Sequence, residues 1–114
     1  MNNFPASINE EISRGRIDYI NEAIRSRTGL KITELKIFYP DGSRKLFVIR
    51  DLGSRVEVEE IILNNFMTRS ERNNEIRRLY NEKNLSQTFI GNIFNLSQPT
   101  VSLIINYKGG KKNE

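Results

Sequence analysis

LSQTFIGNIFNLSQPTVSLIIN, residues 85–106, decides how the rest of the chain is read. Ser86 supplies a hydroxyl of the kind that caps a helix N-terminus, and the eight residues after it, Gln87–Phe94, form one helical stretch. Asn95 is the bend. Ser97 caps a second helix from Gln98 to about Asn106. Pro99 is harmless in its first turn, where the N–H that proline lacks has no partner anyway. Ile90, Phe94, Leu96, Val101 and Ile104 fall where two short crossing helices need apolar side chains to fill a small core. Gly91 falls where the second helix passes closest and only Gly or Ala fits. Asn95 takes a position that favours a left-handed backbone, for which Gly is the usual choice and Asn the best tolerated substitute.

Two short helices with a three-residue turn between them make a helix-turn-helix unit, which presents its second helix to the DNA major groove. The bland alternative is an ordinary helical hairpin inside a core, since a motif match alone is a hypothesis. Between Leu85 and Tyr107 there is no charged residue. The second helix instead offers Gln98, Thr100, Ser102 and Asn106 as hydrogen-bonding groups, with Pro99 and Leu103 as apolar contacts. Gln can bond adenine N6 and N7 together, and an apolar side chain can touch a thymine methyl. The Arg or Lys clamp on guanine is missing from this helix, so the contacted bases are expected to be mostly A·T. Phosphate contact is expected from Gln87 and Ser97, and from Arg77, Arg78, Lys83, Lys108, Lys111 and Lys112.

The same residues carry a family resemblance. LSQTFIG followed by NLSQPTVSLIIN resembles the helix-turn-helix of bacterial and phage transcriptional regulators, including the lambda-repressor type, over about 22 of the 114 residues. With the preceding RNNEIRRLYNEKN, it also resembles the C-terminal part of the middle-operon regulators of Mu-like phages. Those are dimers with a separate N-terminal dimerisation region. What the resemblance implies is a DNA-binding regulator from a phage or other mobile element, acting as a homodimer.

Composition and charge bound the alternatives. The chain has no cysteine and no histidine, which removes disulfides, thiolate metal sites, the commonest zinc ligand and the commonest general base. Residues 1–66 hold 10 Lys and Arg against 10 Asp and Glu, whereas residues 67–114 hold 8 against 4. The whole excess of +4 therefore lies in the half with the motif, as phosphate contact requires. No apolar run is long enough for a membrane span and no segment resembles a signal peptide, so the expected location is cytoplasmic, on the nucleoid.

Taken in order, the chain opens with a loose arm to Ala6. Ser7 and Glu10 have capping-box spacing, and Ile8, Ile12, Tyr19, Ile20, Ala23 and Ile24 recur near helical intervals, which predicts one helix to about Arg27 with its stop at Thr28 and Gly29. Gly15 marks a kink or a close contact within it. Residues 31–39 and 45–50 are rich in β-branched and aromatic residues around the turn residues Pro40, Asp41, Gly42 and Ser43, the pattern of a hairpin. Both its faces are apolar. An isolated ribbon is marginal, so it is expected to lean on helices or on a twin in a dimer. Ser54 and Glu57 repeat the capping-box spacing ahead of Val58, Ile61, Ile62 and Phe66, which predicts a helix to about Asn65, although residues 55–58 can also extend the sheet. Thr68 and Glu71 form a third capping box, starting the support helix with Ile76, Leu79 and Tyr80 inward.

The expected fold is α+β and mainly α: an N-terminal helix and β-hairpin followed by a C-terminal three-helix unit. Residues 1–53 are assigned to dimerisation, 54–67 to a connecting helix and 68–114 to DNA binding with a basic tail. No cofactor, metal or catalytic residue is expected, the chain having no phosphate-binding glycine loop or convincing carboxylate pair. The leading reading is a homodimeric transcriptional regulator on double-stranded DNA, repressor or activator. The alternatives are an antitoxin-type regulator whose N-terminal half grips a second protein, and an accessory factor for replication, partition or recombination.

Overall fold

A computed structural model of the chain describes residues 4–24 and 29–107. The elements run α1 (Ala6–Arg14), β1 (Arg16–Ile24), β2 (Lys31–Phe38), β3 (Arg44–Asp51), β4 (Val56–Ile61), α2 (Arg69–Glu82), α3 (Gln87–Phe94) and α4 (Gln98–Asn106). They fall into two compact units, Met1–Ile62 and Leu63–Glu114.

The first unit grows from its central hairpin. At the turn, Gly42 takes a φ of 89°, the Tyr39 N–H donates to the Ser43 carbonyl at 2.9 Å, and the Asp41 carboxylate accepts the Ser43 N–H at 2.8 Å. β2 and β3 are β-rich in composition and apolar on both faces, so each leaves an unpaired edge that would be costly to bury. β1 closes one edge and β4 the other, giving an antiparallel sheet in the order β1-β2-β3-β4. Residues opposite one another share a face, so Leu35 with Phe47, and Thr33 with Ile49, look toward the same side. There Leu35, Ile37, Tyr39, Phe47 and Ile49 form a buried cluster with Ile8 of α1, with Phe4 and Ile12 packed against it. Fully burying a side chain such as Ile8 contributes about 1.5–3 kcal/mol.

Several buried polar groups of this unit have partners. The Tyr39 hydroxyl donates to Glu11 Oε1 at 2.7 Å. Burial, and then that bond, push the phenol well above its usual range, while the same bond holds the Glu11 carboxyl below its own. On the opposite face, Glu34 accepts a hydrogen bond from Asn21 Nδ2 at 3.0 Å and Lys36 Nζ lies 3.2 Å from Asp18. These buried charges sit beside Ile32, Leu46, Val48 and Ile61, which are also buried.

Several sequence expectations are overturned. The chain is not mainly α, and its first half is a four-stranded sheet with one short helix, not a helix with a hairpin. The predicted long helix ends at Arg14, and Pro5, not Ser7, stands at its N-cap, with no side-chain hydrogen bond. Residues 16–24 imitated a helix for a definite reason. A bulge between Ile17 and Tyr19 shifts the strand's alternation, so Ile17 and Ile20, opposite Ile37 and Leu35, share a face with Ile24 at intervals of three and four. The expected helix end at Arg27 and Thr28 lies outside the described residues. Residues 54–67 are not a connecting helix either. Gly53, at φ 83° with its N–H on the Asp51 carboxylate, turns the chain so that β4 pairs along β3, and the Ser54–Glu57 spacing caps nothing. The unit boundary accordingly falls after Ile62, not at 53.

Gly15 is a point of close contact. A Cβ there would stand 2.4 Å from the Phe38 carbonyl oxygen and 3.0 Å from the Tyr39 ring, where α1 passes into β1. Gly15→Ala is expected to destabilise the first unit by about 1–3 kcal/mol, read from urea unfolding. A variant as stable as the parent would show that the backbone yields there freely.

Candidate nucleic-acid interface

In the second unit each helix begins with a side-chain cap. Thr68 Oγ1 accepts the Glu71 N–H at 3.1 Å, and Glu71 Oε1 accepts the N–H groups of Met67 at 2.7 Å and Thr68 at 3.1 Å. Those backbone bonds hold the Glu71 carboxyl below its usual range. Ser86 Oγ accepts the Phe89 N–H at 3.0 Å to start α3, and Ser97 Oγ accepts the Thr100 N–H at 3.2 Å to start α4, whose first turn contains Pro99. Between them Asn95 adopts φ 58° and ψ 47°, and the Leu96 N–H donates to the Gly91 carbonyl at 2.8 Å.

That turn brings α3 and α4 into close contact. A Cβ on Gly91 would lie 2.6 Å from the Leu96 carbonyl oxygen, so even alanine would force the turn apart. Ile90, Gly91, Val101 and Ile104 are buried, while Phe94 and Leu96 are half-buried. The Phe94 ring packs against that of Phe66, with centroids 5.8 Å apart. Ile76 and Leu79 of α2 complete the core, together with Leu85 and Phe89. Leu85, just before the Ser86 cap, and Phe89, in the first turn of α3, are not among the apolar positions singled out from the motif's spacing.

Outward, Gln98, Pro99, Leu103 and Asn106 are exposed, Leu103 at 73%, whereas Thr100 and Ser102 are half-buried. The Thr100 and Ser97 hydroxyls lie 2.8 Å apart, and Asn106 Nδ2 donates to Ser102 Oγ at 3.2 Å. Gln98 Nε2 donates to Gln87 Oε1, so the two amides at the starts of α3 and α4 are joined. This surface is all donors, acceptors and apolar contacts, and none of its groups titrates.

The cations around it are less available than their sequence positions suggest. Arg78 grips Glu75 with two bonds, Nε to Oε1 at 2.9 Å and Nη2 to Oε2 at 2.7 Å, while Glu75 Oε2 also accepts the Asn64 N–H at 2.7 Å. Arg77 Nε donates to the Ile104 carbonyl at 3.0 Å and its Nη1 to Asn74 Oδ1 at 3.1 Å. Lys83 is half-buried at the end of α2, and Arg72 is turned onto Asn73 Oδ1. Lys108, Lys111 and Lys112 lie outside the described residues. Among the described residues no group of His, Cys, Asp and Glu is placed to hold a metal, and no helix is long and apolar enough to cross a membrane. Compared with known protein families, curated proteins and solved structures, the chain matches none of them.

Glu75 is 5% exposed, and the Arg78 guanidinium is the main reason its carboxyl stays below the ordinary value of 4.5. Its stabilisation is complete above that value and is lost as the pH falls through the lowered one. Glu75→Gln is expected to destabilise the chain by about 1–3 kcal/mol at neutral pH. It should also flatten the acid limb of stability in urea unfolding between pH 7 and 3. A variant with the parent's acid limb would locate that sensitivity elsewhere.

Proposed function

We propose that this chain is a sequence-specific transcriptional regulator that binds double-stranded DNA as a homodimer and reads an A·T-rich operator with α4 in the major groove. The observation that carries the reading is the joint geometry of Gly91, Asn95 and the Gln87–Gln98 bond. A glycine contact and a left-handed turn hold two short helices together, and the exposed amide of Gln98 is already oriented by its neighbour. A B-form major groove about 12 Å wide admits one α-helix. An amide held this way suits the paired N6 and N7 groups of adenine, and the exposed Leu103 suits a thymine methyl. The N-terminus of α3 adds backbone N–H groups for a phosphate beside Gln87.

One α4 spans only a few base pairs, so two copies on half-sites about 34 Å apart are the economical arrangement. The ribbon's marginal stability no longer argues for a twin, because β1 and β4 pair with it. The surface left for a second copy is β1 itself, an edge strand on which Ile17, Ile20 and Ile24 are exposed on one face, Ile24 at 71%. The other edge, β4, exposes Val56 and Val58 beside Glu60 and beside Glu57 and Glu59, which are paired with Arg55 and Arg50, so it offers a smaller and more charged apolar surface.

In duplexes selected from random sequence, the contacted positions should be mostly A·T. Gln98→Ala should weaken binding by about 1–3 kcal/mol and relax preference at one base pair. Selected sites built of G·C pairs, or an unchanged affinity, would sink the reading. In sedimentation equilibrium the parent should have twice the 13.3 kDa chain mass and Ile20→Lys should be monomeric. A monomeric parent would remove the dimer.

A further inference from the structure

The two ends of α4 are held by different means. At its start, Ser97 caps the backbone and Gln87 bonds Gln98. At its end the last carbonyls have no partner within the helix, and the last turn contains no basic residue to offset the negative end of the dipole. The Tyr107 N–H reaches the Ile104 carbonyl only at 3.4 Å. A stronger bond comes from another helix. Arg77 of α2, half-buried, donates its Nε–H to that carbonyl at 3.0 Å, and Asn74, one turn earlier, fixes the guanidinium by accepting from Nη1 at 3.1 Å. A cation is thus placed on the C-terminal end of the helix that presents Leu103 and Asn106.

We infer that Arg77 is a positioning residue that seats the C-terminal end of α4 and thereby governs which bases that end accepts, acting through the helix and touching no phosphate. The part concerning bases rests on the function proposed above, while the seating of α4 is independent of it. Two of the five N–H groups of this guanidinium, on Nε and Nη1, are bonded within the fold, which fixes its plane against the end of α4. Losing it frees the end with Ser102, Leu103 and Asn106 and leaves the end with Gln98 in place. The consequence is graded along the site: preference is lost where the last turn of α4 reads, and kept where Gln98 reads.

The test compares the full-length parent with Arg77→Ala and Arg77→Lys, using Arg72→Ala as a control on the same helix. Amide hydrogen exchange should speed up at Ile104, Ile105 and Asn106 in Arg77→Ala and stay unchanged in the first turn of α4. On a selected duplex, Arg77→Ala should bind roughly ten-fold more weakly, as expected for loss of a charged hydrogen bond. The dependence of log affinity on log salt should keep the parent's slope, and base preference should fall only at the positions farthest from those of Gln98. Arg77→Lys, which keeps the charge but not the paired donors, should recover part of the exchange protection. Unaltered exchange in the last turn of α4 would overturn the inference. So would a salt slope reduced by about one with an even loss on every sequence, the mark of a phosphate ligand. If the parent ignores duplex DNA altogether, the proposed function falls, and the exchange result still decides whether Arg77 seats α4.

Discussion

The second unit depends on one backbone contact. Gly91 and Leu96 approach so closely that the space a Cβ would need is filled by a carbonyl oxygen, and the Leu96 N–H bonds back to Gly91 across it. Asn95 must then take a left-handed conformation, which few residues other than glycine adopt cheaply. From that constraint follow the separation of α3 and α4, the burial of Val101 and Ile104 between helices, and the meeting of Gln87 with Gln98. The proposed function needs such a constraint, because a surface that reads hydrogen-bonding groups loses binding energy if it must first be ordered.

Around this contact the charged residues of α2 serve the fold first. Glu75 is buried, and it is tolerable only because Arg78 and a backbone N–H use its oxygens. Arg77 does for the end of α4 what Ser97 does for its beginning. The second unit thus has a basic sequence, but part of its positive charge is held inward. For the proposed function, hydrogen-bond geometry and not net charge decides which cations can meet a phosphate.

The first unit follows another rule, that a strand apolar on both faces cannot be left with open edges. β2 has buried residues on both faces, and β1 and β3 pair along its two sides. Where polar residues fall on the buried side, Asn21 and Asp18 of β1 provide partners for Glu34 and Lys36. The residual edges differ in kind. β1 exposes Ile17, Ile20 and Ile24, whereas β4 exposes the smaller Val56 and Val58 among three glutamates.

What the sequence determined by itself was local chemistry. Hydroxyls at Thr68, Ser86 and Ser97, the turn residues 40–43, and Asn95 at a left-handed position act over three or four residues, so their partners lie within a single window of sequence. The helical bounds of α3 and α4 and the central hairpin could be read for that reason. Only the tertiary structure decided the identity of residues 16–24 and 56–61, whose apolar spacing suits a helix as well as a strand. The choice was made by the open edges of β2 and β3, to which those segments bond, and in β1 a bulge disguised the alternation that would have revealed it. It likewise decided that Arg77 turns onto α4, because Ile104 becomes its neighbour only through the packing of two helices; the Glu75–Arg78 spacing of three is legible in the sequence, but the burial of Glu75 is not.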